Sequence, residues 1–259
     1  MKTKSRIFSK HFQISTLLLM VWTGGVCAQE ADPGKARLVE ILGESLRSYE
    51  TIADYHAIFH KQERDGNELG VEEKIYLKFE KPFKIYMKWL NTAKNGLQVF
   101  YERGQYKGKL VIHKPGLFFG LAPVLFLDQN SPWVRQGSAS YNIEDAGIGT
   151  FLHDFSKAVL RASDESKLLV HFLNLPSGEE EADVTFADST KDSVYFAYRV
   201  VVVFDPENRL PTVMKLYDWQ NKPMGIYTYE HLKLNVGPND EEFRKEINNH
   251  LYKVYNHQD

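Results

Sequence analysis

The amino-acid sequence predicts an α+β fold in which helices pack on the concave face of a curved antiparallel sheet or incomplete β-barrel. Apolar residues first recur at helical spacing and then alternate with polar residues over most of the chain. Helical spacing returns in the middle of the chain and near the C-terminus. No stretch alternates strand with helix as a parallel sheet requires. The predicted order is a helix, about five strands, an apolar segment with a helix, about four strands and a last helix.

The first 28 residues have the composition of a secretory signal peptide. A basic start is followed by an apolar run at 14–22 and then by Val26-Cys27-Ala28, which ends in a small residue as signal peptidase requires. The run is shorter than the roughly 18 residues that span a bilayer. We therefore expect cleavage after Ala28, export to the periplasm and no transmembrane segment in the mature chain. Lipidation at Cys27 is the weaker alternative, because a lipoprotein signal normally has Gly, Ala or Ser where Val26 stands.

Charge and cysteine content narrow the class of partner. The chain has 32 basic and 34 acidic residues, and the predicted signal contains four of the basic ones and none of the acidic ones. The remainder is acidic, with a formal charge near −6, which argues against nucleic acid or an anionic membrane held by bulk charge. Without Cys27 the mature chain has no cysteine, so a disulfide is excluded. No repeat or Pro-rich linker divides residues 29–259, so we expect a single domain.

The first elements are predicted from a change in the apolar period, from helical spacing to alternation. A turn signal at 32–34 precedes an amphipathic helix of about four turns. Its apolar residues are Leu38, Ile41, Leu42, Leu46 and Tyr49. A strand is predicted at 54–64, followed by a turn at 65–67. Further strands at 97–101 and 110–112 flank another hairpin signal.

Between these strands, two segments alternate apolar residues with Lys, Tyr and Glu. The apolar positions are Ile75, Leu77, Phe79, Phe83, Ile85, Met87 and Trp89. Alternation with a period of two predicts two strands with one apolar face. The opposite face is rich in Lys and Tyr.

The second half opens with an apolar run at 116–127 that is punctuated by Gly and Pro. It is either a lid over a cavity, because Gly and Pro allow hinging, or a buried crossover. A helix follows at 148–162, and a last helix is expected at 240–252, with Glu241 and Glu242 in its first turn, where the helix dipole favours them. Strands are predicted at 168–175, 194–204, 212–219 and 225–234. The acidic segment at 177–181 is expected to be a solvated loop, and 205–208 a hairpin turn.

The chain lacks the common catalytic motifs: the Gly-x-Ser-x-Gly elbow, His-Glu-x-x-His, the phosphate-binding loop and the dinucleotide fingerprint. Three weaker groups remain. His56 and His60 could share a metal with Glu63, and His153 is adjacent to Asp154. The last strand carries Tyr227, Tyr229, His231 and Lys233 on one face. A surface role is favoured for each group, so we expect no catalytic site, no cofactor and no metal.

The surplus of apolar side chains indicates binding. Aromatic residues make up 13% of the chain, and some strands carry them on both faces, as at Tyr86 and Trp89. A curved sheet with more apolar positions than a core needs could leave a cavity, and helices that fill it are the alternative. The expected cavity wall is Ile75, Leu77, Phe79, Phe83, Met87 and Trp89, with Phe118, Phe119 and Phe126 from the apolar run. The period of two leaves open which sheet face is concave.

Several segments resemble the LolA/LolB-like lipoprotein-carrier superfamily. The ending Tyr227-Thr228-Tyr229-Glu230-His231-Leu232-Lys233-Leu234-Asn235, followed by a turn and Phe243, is similar to the last strand and helix of the carriers. The segment from Lys81-Pro82 to Trp89 resembles another of their strands. Leu127-Asp128, Ser131-Pro132, Tyr141-Asn142-Ile143 and Gly147-Ile148 are similar to an uncharacterised domain-of-unknown-function branch of the superfamily.

The resemblance implies a single LolA-like half-barrel domain over 29–259 that binds acyl chains or lipidated protein without catalysis. One departure is that no arginine can be matched to a dedicated lipoprotein-binding arginine. Two functions therefore stay open. The first is a non-catalytic periplasmic binding protein for a lipid, an acyl chain or another amphiphile, with a lipoprotein or envelope protein as partner. The second is a structural or interaction protein of the envelope, with a filled core and an apolar docking segment.

Overall fold

The computed structural model describes residues 32–113, 124–131, 142–164, 167–187 and 195–237. These residues belong to one compact unit, Asp32–Asp259. The predicted signal peptide, Phe118, Phe119 and the predicted helix at 240–252 lie outside the described residues.

The described residues form two helices and twelve strands. The helices are α1 (Pro33–Glu50) and α2 (Ile148–Asp164), and short 3-10 turns occur at Tyr106–Gly108 and Ile143–Asp145. The strands of the first half are β1 (Asp54–Asp65), β2 (Glu68–Leu69), β3 (Glu73–Glu80), β4 (Lys84–Trp89), β5 (Gln98–Glu102), β6 (Leu110–His113) and β7 (Val124–Leu127). Those of the second half are β8 (Leu168–Asn174), β9 (Glu180–Phe186), β10 (Arg199–Phe204), β11 (Pro211–Tyr217) and β12 (Pro223–Leu234).

The strands form one open, curved antiparallel sheet. Their order is β7-β6-β5-β4-β3-β1-β12-β11-β10-β9-β8, and β2 pairs only with the end of β1. The chain thus runs outward from the centre to the β7 edge, crosses over through α2 to the β8 edge and returns through β12. The predicted α+β class and the open antiparallel sheet are confirmed.

Both helices pack on the same face of the sheet, which we call the inner face. Leu38 and Ile41 of α1 join Leu152 and Phe155 of α2 in one core, and all four side chains are fully buried. The sheet contributes Ile75, Leu77, Phe79, Ile85, Met87 and Trp89 to the same core. The helices therefore cover the face that the period-two pattern of β3 and β4 marks as apolar.

The start of α1 lies against the β8 edge. Pro33 occupies the first turn of the helix, and the Asp32 carboxylate accepts a hydrogen bond from the Gly34 N–H at 3.0 Å. A side chain on Gly34 would place its Cβ 2.8 Å from the carbonyl oxygen of Val170, so the close approach requires glycine. Covering an edge strand in this way limits its pairing with other chains.

A second apolar cluster lies on the opposite, outer face of the first half of the sheet. Its buried residues are Tyr86, Phe100, Val111 and Val124, and Tyr76, Tyr106 and Phe126 pack against it. The pairing of Val111 with Phe126 across β6 and β7 places both on this face. We call this group the outer cluster.

Three predictions for individual segments are corrected. The acidic segment predicted to be a loop continues into strand β9, whose inward side chains Ala182, Val184 and Phe186 are fully buried. The strand predicted at 194–204 begins only at Arg199. The end of the apolar run, Val124–Leu127, is strand β7 of the sheet, and the residues before it, 114–123, lie outside the described ones.

Candidate functional site

The inner face of the first half is an apolar wall, which we define by Ile75, Leu77, Phe79, Phe83, Met87 and Trp89. Their exposed fractions range from 1% at Ile75 and Leu77 to 8% at Trp89. All six belong to the core that α1 and α2 complete. The structure thus brings together six of the nine side chains predicted to line a cavity.

The other three predicted residues do not join the apolar wall among the described residues. Phe126 belongs to the outer cluster, because its position in β7 points to the opposite face of the sheet. Phe118 and Phe119 lie outside the described residues.

Cross-strand pairing arranges the inner side chains of the central strands in rows, and the chemistry of the rows changes at one end. One row is apolar and aromatic: Trp89, Ile75, Phe59 and Tyr229. The adjacent row is polar: Glu73, Lys61 and Tyr227. The wall therefore ends in charged groups on the same face of the sheet, beyond its Trp89 end.

We call Lys61, Glu63, Glu73 and Lys94 the ionic cluster. The Lys61 ammonium lies 3.1 Å from a Glu63 oxygen and 3.6 Å from a Glu73 oxygen. Lys94 donates to the other oxygen of Glu73, and the Tyr227 hydroxyl donates to Glu63 at 3.1 Å. Both carboxylate side chains are only 13% exposed. Partly buried charges of this kind are found in proteins mainly where they are paired.

Trp89 connects the apolar wall to the ionic cluster. Its indole N–H donates to Glu73 at 3.0 Å, and the Lys94 ammonium lies 5.9 Å from the centre of its ring. Burial alone would raise the pKa of Glu73, but hydrogen bonds from Lys94 and Trp89 and the charge of Lys61 outweigh it and hold that pKa below its ordinary value. Glu73 is therefore ionised at neutral pH.

At the opposite end of the wall, a polar rim joins the end of strand β5 to the 3-10 turn that precedes α2. The Glu144 carboxylate accepts hydrogen bonds from the Tyr101 hydroxyl at 2.5 Å and from Arg103 Nε at 3.2 Å. The Arg103 guanidinium lies 5.0 Å from the ring centre of Phe83. The hydrogen bond from Tyr101 is the main reason why the pKa of Glu144 lies below its ordinary value.

The histidine groups do not assemble as a metal site. Both ring nitrogens of His60 are bonded to carboxylates, to Glu72 at 3.0 Å and to Glu230 at 2.9 Å, on the outer face. Glu63 lies on the inner face, since it is an odd number of residues from His60 in the same strand. Within the described part of the chain, no group of three His, Cys, Asp or Glu side chains could hold a metal ion.

The other two groups are not assembled sites either. His153 and Asp154 are exposed on α2, and the nearest cation to Asp154 is Lys157, 3.9 Å away. The last strand does not present a single polar face, which corrects the prediction. Tyr229 is buried in the core. A β-bulge at 231–232, between the pairs Glu230–Ile58 and Lys233–His56, includes His231 with a φ of 54° and re-aims the residues that follow.

A family model described as a protein of unknown function, DUF1571, matches residues 52–254 of the chain. The chain belongs to this family. A comparison of this DUF1571 protein with curated proteins finds no match. None of the helices formed by the residues that the structure describes is long and apolar enough to cross a membrane.

Three solved structures illustrate what the DUF1571 chain is similar to. One is described as an outer membrane lipoprotein-sorting protein domain from Vibrio parahaemolyticus, with 13% identity over 82% of this chain and 98% of that one, and a TM-score of 0.39. Another is a LolA superfamily protein from Nitrosomonas europaea, with 9% identity, 78% and 95% coverage and a TM-score of 0.36. The third is the lipoprotein LppX from Mycobacterium tuberculosis, with 13% identity, 81% and 99% coverage and a TM-score of 0.43.

A member of the superfamily predicted from the sequence is among the solved structures that are similar to the DUF1571 chain. Identities and TM-scores this low transfer neither a ligand nor an activity to it.

Sequence reasoning missed the ionic cluster, although part of its signal is visible. Lys61 and Glu63 continue the inward register of Ala57 and Phe59 in β1, so two charged residues stand where the pattern calls for apolar ones. Their partners are distant in sequence, because Glu73 begins β3 and Lys94 lies in the loop between β4 and β5. Only the strand pairing brings them together.

Proposed function

We propose that this protein is a non-catalytic binding protein that holds an amphiphile, such as a lipid, an acyl chain or a lipidated protein segment, against the apolar wall. The proposal includes export, removal of the signal near Ala28 and a single mature domain over 29–259. The observation that carries it is the change along the inner face from apolar rows to the ionic cluster. An amphiphile has the same division between a tail and a polar head.

The free energy of burying an acyl chain is large enough for binding to the apolar wall. The wall side chains are at most 8% exposed, so a tail reaches them only by displacing the groups that cover them. Burial contributes roughly 0.8 kcal/mol per methylene, so a chain of about twelve gives roughly 10 kcal/mol. Part of that sum offsets the cost of association and of opening the core. A tail shorter than about eight methylenes would leave little net affinity.

The low exposure of the wall also favours a second candidate. A permanently filled inner face would make the protein a structural or interaction component of the envelope. Such a protein would carry no lipid when purified and would take up none. The two candidates thus differ in a directly measurable property.

The test is native mass spectrometry with lipid extraction on the protein purified from the periplasm without detergent. The binding proposal predicts an added mass that extracts as an acyl-containing molecule, or uptake of a fluorescent fatty acid by the lipid-free protein. Trp89→Ala should reduce that binding by about tenfold or more, because it removes the aromatic end of the wall. A measured mass equal to that of a mature chain beginning at Gln29 would support the cleavage site.

Tyr86→Ala is the matched control. Tyr86 and Trp89 lie on the same strand, are 5% and 8% exposed, and face opposite sides of the sheet. Both substitutions remove a buried aromatic side chain, so both destabilise the fold, but only Trp89→Ala should reduce binding. Equal loss in both variants, or a lipid-free protein that takes up no probe, would reject the binding proposal in favour of the filled core.

A further inference from the structure

Lys94 occupies a small site that is suited to an organic cation. Its ammonium group lies over the ring of Trp89 and donates to one oxygen of Glu73, while the indole N–H holds the other oxygen. An aromatic face beside a carboxylate attracts ammonium groups, and tryptophan is the strongest of the aromatic side chains in this respect. The site adjoins the apolar wall, because Trp89 belongs to both.

The charges around the site favour one exchangeable cation. Without Lys94, the cluster consists of two carboxylates and Lys61, so it carries one net negative charge. Lys61 extends from strand β1, contacts both carboxylates and is 23% exposed. Lys94 is 43% exposed, contacts only Glu73 among the carboxylates and lies in a loop. Lys94 is therefore the cation that can leave.

The loop between β4 and β5 is built to present Lys94. The Asn91 side chain fixes its base, since it accepts from the Lys74 N–H at 2.7 Å and donates to the Glu72 carbonyl at 2.9 Å. Thr92 has a φ of 65°, a strained conformation for a β-branched residue. Its hydroxyl accepts from the Lys94 N–H at 3.2 Å. This conformation turns the chain so that the Lys94 side chain returns to Trp89.

We infer that Glu73 and Trp89 form a subsite for the aliphatic ammonium head group of an amphiphile, and that Lys94 fills this subsite when no ligand is bound. The inference rests on the proposed function, because the tail of the same molecule would lie on the apolar wall. A bound ammonium head takes over the contacts with the Glu73 carboxylate and the indole ring. The displaced Lys94 turns to solvent or to an anionic part of the ligand.

The experiment compares three probes with the same tail: dodecylamine, dodecanoate and monododecanoylglycerol. Their affinities are measured by calorimetry below the concentration at which they form micelles, for the native protein and for Lys94→Ala. Removal of the resident cation should tighten dodecylamine binding roughly tenfold and leave monododecanoylglycerol almost unchanged. Glu73→Gln should abolish the preference for dodecylamine over monododecanoylglycerol.

Lys109→Ala is the matched control. Lys109 is an exposed lysine in the next loop of the same half, between β5 and β6, so its removal changes the net charge equally. Lys94→Gln is the second variant if Lys94→Ala does not fold, and it is expected to tighten amine binding in the same direction. Circular dichroism of each variant checks the fold.

The outcomes separate the two proposals. Binding of monododecanoylglycerol would support the proposed function. If Lys94→Ala and Lys94→Gln then bind dodecylamine no more tightly than Lys109→Ala does, the subsite is overturned while the proposed function stands. If no probe binds to the native protein or to the Lys94 variants, the proposed function fails and the subsite fails with it.

Discussion

The two halves of the sheet bury their inner faces alike but differ on their outer faces. In the first half, Phe100 and Val111 of the outer cluster are 5% and 3% exposed. In the second half, Leu169 and Leu173 on the outer side of β8 are 56% and 58% exposed. The outer face there also carries the ion pair between Arg199 and Asp183. The outer face of the first half thus carries a buried apolar cluster, whereas that of the second half is exposed at β8 and buried at Val201 and Val203 of β10.

This difference shows what strand alternation can and cannot indicate. A period of two separates the two faces of a strand, but it does not tell whether the more polar face is also covered. Tyr86 illustrates the difficulty, because tyrosine is found both at half-exposed positions and at buried ones with a hydrogen-bond partner. In the structure it is buried, and its hydroxyl donates to Gln98 at 3.0 Å.

The largest expected effect tests the comparison directly. Phe100→Ala should lower the free energy of unfolding by about 3 kcal/mol, because it removes a buried aromatic ring from the outer cluster. Leu173→Ala, at an outer position of the second half, should change it by less than about 0.5 kcal/mol. Urea denaturation of the two variants beside the native protein measures both values. Similar losses in both variants would mean that the outer faces do not differ.

Charged contacts connect the second half of the sheet to α1. Glu180 at the start of β9 accepts hydrogen bonds from Arg37 of α1 at 2.8 and 2.5 Å, and its side chain is 14% exposed. Arg209, in the turn between β10 and β11, lies 3.2 Å from the same carboxylate. These charges connect α1 to the start of β9 and to the turn between β10 and β11. The hydrogen bond from Arg37 is the main reason why the pKa of Glu180 lies below its ordinary value.

A second prediction follows for Glu180→Gln. At pH 7 it should lower the free energy of unfolding by about 1–2 kcal/mol, because it removes a charge-assisted, partly buried contact. Because the pKa is lower in the folded state, the stabilisation is present above the unfolded pKa of about 4.3 and is lost as pH falls through the folded value. The difference between variant and native protein should therefore shrink at acid pH.

Urea denaturation at a series of pH values measures this difference. Glu179→Gln, at the neighbouring partly buried position, whose carboxylate accepts a local hydrogen bond from Ser177 at 2.8 Å, is the control. A constant difference from pH 7 to pH 3 would contradict the assigned role of the carboxylate charge.

The sequence was sufficient where each element carries its own signal. Helix α1 has a capping aspartate, a proline in its first turn and a clear apolar stripe, and the structure has it at Pro33–Glu50. Strands β3 and β4 were predicted with their apolar residues together on one face. That grouping followed from the local pattern alone, whereas the pattern left open which face would be concave.

The sequence was not sufficient where a signal depends on distant partners. Strand β9 begins with acidic residues that suggest a loop, but Glu180 binds Arg37 and Asp183 binds Arg199, so the charges are explained by neighbours far along the chain. The position of Phe126 on the outer face depends on the register of β7 against β6, which no local pattern contains. The ionic cluster likewise needs the pairing of β1 with β3 and the course of a loop.

The smallest expected effect concerns the seam between the two halves, where β1 pairs with β3 on one side and with β12 on the other. His60 of β1 bonds Glu72, just before β3, and Glu230 of β12, and the charges of Lys74 and His231 act on Glu230. A neutral imidazole has only one N–H, so both bonds require the protonated ring. Burial alone would lower the pKa of His60, but the hydrogen bonds to the two carboxylates outweigh it and raise that pKa.

The raised pKa fixes the direction of the pH dependence. The stabilisation from His60 is fully present below the unfolded pKa of about 6.5 and is lost as pH rises through the higher folded value. His60→Gln should therefore cost up to about 1 kcal/mol near pH 5.5 and less near pH 9, since the pair is close to the surface. His171→Gln, which removes a histidine from the exposed side of β8, is the control. If the two variants lose the same stability at every pH, the imidazolium does not join the halves, and the seam is held by its backbone ladder and its inner aromatic row alone.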